Sequence, residues 1–78
     1  MSGEQTELTP EQVYEKGKGL TGGLVAVSYG GGTRYVLRLW EVGVHLGRQG
    51  FVVSIDRPGA ERWWLWTRSL VDVERIEG

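Results

Sequence analysis

Arg62-Trp63-Trp64-Leu65-Trp66-Thr67-Arg68 holds three of the four tryptophans of a 78-residue chain. As a strand, its side chains alternate between two faces. Trp63, Leu65 and Thr67 then point one way, and Arg62, Trp64, Trp66 and Arg68 the other. Large rings on both faces require cover on both faces. A lone surface strand does not provide that; a central strand of a small, strongly curved sheet does.

The flanking segments supply the rest of such a sheet. Upstream, Arg57-Pro58-Gly59-Ala60-Glu61 is a turn with Pro-Gly at its centre. Phe51–Asp56 before it reads as a strand, and Gly43–Gly50 as a longer turn containing three glycines. Arg34–Val42 is a further strand, with Tyr35, Leu37 and Leu39 on one face and Val36, Arg38, Trp40 and Val42 on the other. Gly30-Gly31-Gly32-Thr33 is a hairpin loop, and Leu24–Tyr29 a strand by its alternation and β-branched content. Downstream, Ser69-Leu70 breaks the alternation as a single tight turn, and Val71–Ile76 closes as a fifth, short strand.

At the N-terminus, residues 1–7 are small, polar and acidic and read as a flexible tail; residues 8–78 form one domain. Thr9 suits a helix N-cap, Pro10 the first helical position and Gln12 the capping-box position. Leu8 and Val13 stand at the two ends of a hydrophobic staple. Gly17 is a candidate terminator, so the spacing predicts a two-turn helix over 10–16. The expected core is Val13, Val25, Val27, Leu37, Leu39, Val53, Ile55, Trp63, Leu65 and Val73. Gly17-Lys18-Gly19-Leu20-Thr21-Gly22 contains G-x-G-x-x-G, but here it follows a helix and opens a strand, the reverse of the dinucleotide-binding arrangement. It reads as a tightly turning connector.

The plan of a short helix followed by five short strands, with a tight turn before the last, resembles the Sm-like barrel; SH3-like barrels share the strands. The resemblance implies a mainly β fold, a five-stranded antiparallel barrel with a short N-terminal helix. A narrower similarity is to the WYL domain of bacterial transcription regulators, itself Sm-like. Val25-Ala26-Val27-Ser28-Tyr29 looks like its first-strand pattern. Arg62-Trp63-Trp64-Leu65-Trp66-Thr67-Arg68 looks like its Arg-x-aromatic-x-apolar-x-Arg segment, followed by Leu70 and Val73. The Trp-Tyr-Leu tripeptide is replaced by Gly50-Phe51-Val52-Val53, and Leu65 stands where the family often has a basic residue aimed at its ligand.

Composition narrows the function classes. With no cysteine and a single histidine, His45, there is neither a disulfide nor a thiolate or clustered-histidine metal site; no metal and no cofactor is expected. The acids are scattered and no nucleophile motif occurs, so the chain reads as no enzyme. Nine Lys+Arg against ten Asp+Glu argue against a dedicated duplex-DNA binder. The charge is uneven, however: the first fifteen residues carry four Glu and no base, and the remainder is nine basic against six acidic, net +3. No apolar run approaches the roughly 18–20 residues of a membrane span, and the N-terminus lacks a signal-peptide pattern, so a soluble cytoplasmic protein without membrane contact is expected.

Two readings remain. In the first, Arg38, Trp40, Arg62, Trp64, Trp66 and Arg68 form a binding patch for single-stranded nucleic acid or a nucleotide, since small barrels stack bases on surface aromatics beside basic side chains. In the second, the rings belong to a protein-interaction module: an adaptor, an inhibitor, or a homo-oligomeric subunit. Four tryptophans in so small a chain exceed what its core readily covers. Self-association through a strand edge and the Trp64/Trp66 face, or docking of that face on a larger protein, is therefore expected.

Overall fold

A computed structural model describes residues 7–76. The expected tail falls almost wholly outside them. Helix α1 (Pro10–Lys18) is followed by β1 (Gly23–Tyr29), β2 (Arg34–His45), β3 (Arg48–Ser54), β4 (Trp63–Trp66), a 3-10 turn (Thr67–Ser69) and β5 (Leu70–Arg75). All pairings are antiparallel, in one sheet of order β4-β3-β2-β1-β5. The mainly β expectation with five antiparallel strands and one short helix holds. The 3-10 turn joins the two strands at opposite ends of that order, so the sheet is sharply curled.

The capping box forms as its sequence requires. The Gln12 backbone N–H donates to Thr9 Oγ1 at 3.2 Å, and the Thr9 N–H donates to Gln12 Oε1 at 2.9 Å. Gly17 does not stop the helix. It lies inside α1, buried, where a Cβ would come within 2.5 Å of the Phe51 ring. The glycine serves close helix–sheet approach, and the helix runs on to a C-cap at Gly19 with φ −86°.

Val13, Tyr14, Val25, Val27, Leu37, Leu39, Phe51, Val53, Leu70 and Val73 form the buried core, with Leu65 and Val42 packed partly against it. Two expected members are not there: Ile55 is 40% and Trp63 43% exposed. The reason is position. Ile55 lies just past the end of β3, and Trp63 is the first residue of edge strand β4; α1 covers the other end of the sheet. Phe51, read as the start of a strand, is instead central to the core.

The β2–β3 connection also departs from expectation. In place of an eight-residue turn, both strands continue to a two-residue turn at Leu46 and Gly47, with His45 opposite Arg48. Trp40 has no partner in the register, since Leu39 faces Val53 and Glu41 faces Val52. This extra residue shifts the alternation. Val42 therefore turns toward the core rather than sharing a face with Val36 and Arg38.

Candidate binding site on the outer sheet face

Cross-strand partners share a face. Because Leu39 and Val53 point to the core, their neighbours Arg38 and Ser54 point outward, as do Glu41, Val52 and Trp64, then Gly43, Gly50 and Trp66. All four tryptophans lie outside the core cluster. Three of them, Trp40, Trp64 and Trp66, are half-buried.

Two constellations result. In the first, the extra position at Trp40 lets its indole Nε1 donate to Ser54 Oγ at 3.0 Å, and Ser54 Oγ donates in turn to the Ile55 carbonyl at 3.0 Å. This chain fixes the ring. The Arg62 guanidinium stacks over it, 3.8 Å from the centroid, while Arg38 lies 5.7 Å away. Arg38 Nη2 donates to Asp56 Oδ1 at 3.2 Å. These groups line a cleft of about 360 Å³ closed by the Pro58-Gly59 turn and joined by Arg57.

In the second, Trp64 lies flat across the two glycines opposite each other on β2 and β3. A Cβ at Gly50 would sit 2.5 Å from its ring, and one at Gly43 3.8 Å. Trp66 meets Trp64 edge-to-face at 5.4 Å and 79°. The His45 ring packs on both, 5.8 Å from Trp64 and 6.1 Å from Trp66. The Arg68 guanidinium stands 6.0 Å from the Trp66 centroid. The indole Nε1 of Trp64 is buried with no hydrogen-bond partner among the described residues.

The six residues read from the sequence thus fall into two triplets, Arg38/Trp40/Arg62 and Trp64/Trp66/Arg68. Sequence reasoning missed His45 and Arg57. The signal for His45 lay in its place on a long strand rather than in a loop. Arg57 was visible only as the start of a turn.

Charge separates this side of the molecule from the rest. Lys16 pairs with Asp72 at 2.9 Å, Lys18 with Glu15 at 3.3 Å and Arg34 with Glu74 at 3.0 Å, all away from the tryptophans. Arg48, Arg57, Arg62, Arg68 and Arg75 enter no ion pair among the described residues; Arg75, on β5, donates to the Gly19 carbonyl at 3.3 Å. Arg57 and Arg62 flank the first constellation; Arg48 and Arg68 line a depression of about 430 Å³ between the β2–β3 hairpin and the start of α1, which they share with the acid Glu11. Among the described residues no group of three His, Cys, Asp or Glu side chains is placed to hold a metal ion, and no helix is long and apolar enough to cross a membrane. No family model, no curated protein and no solved structure matches the chain.

Proposed function

We propose that this chain is a non-catalytic binding module, a small Sm-like or SH3-like barrel, whose outer face takes single-stranded nucleic acid or a nucleotide. One observation carries the reading: Arg57 and Arg62, without carboxylate partners among the described residues, line the cleft at Trp40, whose one acid, Asp56, is already engaged by Arg38. Single-strand binders combine cationic side chains for the phosphates with rings for the bases. Arg62 already covers one face of Trp40, so a base at that site stacks on the guanidinium plane, and Arg57 lies within reach of its phosphate. Trp66 with Arg68 offers a second platform. On this reading the module works in the cytoplasm, in a regulatory role.

The test is a fluorescence titration of the full chain with a single-stranded oligonucleotide at several salt concentrations. Binding that weakens steeply with salt, and that Arg62→Ala and Arg68→Ala each reduce, supports the reading. No quenching at low salt with high micromolar protein overturns it. A second reading, a protein-interaction module, draws on a different observation. Val44 and Leu46, at the end of the β2–β3 hairpin, are 62% and 83% exposed.

A further inference from the structure

The second half of β2 is an open edge. β1 pairs with β2 only between Arg34 and Leu39, so among the described residues Glu41 to His45 have β3 on one side and no strand on the other. The register fixes which backbone groups face outward. In a two-residue hairpin the residues flanking the turn exchange both hydrogen bonds; here these are His45 and Arg48. Alternation then makes Gly43/Gly50 and Glu41/Val52 bonded pairs, and turns the N–H and C=O of Val42 and Val44 away from β3. No turn, loop or cap backbone bonds to either valine among the described residues.

This edge matches itself. The sequence Glu41-Val42-Gly43-Val44-His45 is near-symmetric about Gly43. We propose that two copies of the chain associate antiparallel through it, about a two-fold axis at Gly43. Val42 of one copy then lies opposite Val44 of the other. Their outward groups form four hydrogen bonds, since each valine pair exchanges two and the axis doubles it. On the outer face Glu41 of each copy stands opposite His45 of the other, so a carboxylate meets an imidazole N–H at both ends. Gly43 meets Gly43 in the close, non-bonded pairing, beside the Trp64 ring, whose nearest atom would lie 3.8 Å from a Cβ there.

The alternative edges are guarded by charge, as exposed edges commonly are. β5 carries Asp72, Glu74 and Arg75, and β4 is bracketed by Arg62 and Arg68. The β2 edge holds neither Lys nor Pro, only Glu41 and His45 placed to pair with each other. A β2–β2 junction extends the sheet of one copy into the other and brings the two Trp64 rings together over the axis.

The experiment is sedimentation equilibrium on the full chain across a micromolar-to-millimolar range, with Val44→Pro and Glu41→Lys. The Val44 N–H has no partner among the described residues, so proline there removes no ladder bond and is tolerated at an edge. The expected result is a reversible wild-type dimer. Val44→Pro raises its dissociation constant about a hundredfold or more, with two lost hydrogen bonds and the ring at the junction. Circular dichroism confirms that this variant keeps its sheet. Glu41→Lys, which faces His45 and leaves every backbone bond, raises the constant about tenfold. It decides the matter should Val44→Pro unfold. A wild type that stays monomeric at millimolar concentration overturns the proposal. So does a dimer that Glu41→Lys leaves unchanged. Oligonucleotide binding by a monomeric chain separates this failure from failure of the nucleic-acid reading.

Discussion

Gly50 sets the outer face. Its side-chain position is filled by the Trp64 ring, and a Cβ there would lie 2.5 Å from ring atoms. The indole must move or the strand must bend, so Gly50→Ala is expected to destabilise by about 1–3 kcal/mol, the usual cost of overpacking, read by urea denaturation with the Trp64 emission shifting. Gly43→Ala, with its nearest ring atom at 3.8 Å, is expected to be much milder. At the other end of the sheet, burial raises the Tyr29 pKa above its ordinary 10.0, and the phenol of Tyr35 beside it adds to the rise. A raised folded-state pKa means that the native chain holds this proton more tightly than the unfolded chain. The stability so contributed is fully present below pH 10 and is lost as pH rises through the folded value. Tyr29→Phe removes that slope. Denaturation midpoints of both proteins between pH 9 and pH 11.5 check it, and parallel slopes would place the alkaline loss elsewhere.

At the scale of elements, the β2–β3 hairpin carries the largest difference between reading and structure. Three glycines between Val42 and Phe51 look like a long flexible turn. Two of them, Gly43 and Gly50, are strand residues under the Trp64 ring, and at Gly50 the ring takes the space of a side chain. Only Gly47, with φ 77°, serves the turn. Composition alone does not separate a glycine that bends the chain from one that makes room for a ring. Leu46 beside it adopts φ 55°, a conformation that asparagine tolerates far better. Leu46→Asn is therefore expected to stabilise the hairpin by roughly 0.5–1 kcal/mol, measurable as a rise in the denaturant midpoint. The helix was legible because capping is local: Thr9, Pro10 and Gln12 act within four residues. Its end was not, because the glycine at 17 is required by the Phe51 ring from β3, which leaves no room for a Cβ, rather than by a helix terminus.

For the whole molecule, the alternation showed which residues share a strand face, and seven of the ten expected core residues are buried. What it did not show is how far the cover extends. α1 and the curl of the sheet enclose the middle of the molecule and leave Trp63 and Ile55 outside. Leu37 lies in that enclosed part, and Leu37→Ala is expected to cost about 2–5 kcal/mol by chemical denaturation; a loss below about 0.5 kcal/mol, the range of ordinary surface changes, would contradict its burial. The candidate site was legible as a set of residue types but not as two constellations, because their separation depends on the extra residue at Trp40, which changes no pattern visible in one strand.

Charge distribution is likewise a property of the whole molecule. A net charge of −1 over the chain conceals a division. Lys16, Lys18 and Arg34 each face a carboxylate within 3.3 Å, while Arg57 and Arg62 line a cleft whose one acid, Asp56, is engaged by Arg38. A phosphate approaching the first group competes with an acid already in place. One approaching the second meets cations that have no carboxylate partner among the described residues, and release of counterions drives binding. Each such contact to a single strand contributes about 0.7 to the slope of log K against log salt. The double variant Arg57→Ala with Arg62→Ala is therefore expected to lower that slope by about 1.4, two contacts' worth, while Lys16→Ala with Lys18→Ala leaves it unchanged. Salt-dependent oligonucleotide titrations of the two double variants provide the comparison. Equal effects from both pairs would show that the chain responds to its total charge, and the cleft beside Trp40 would lose its claim as the place where phosphate is held.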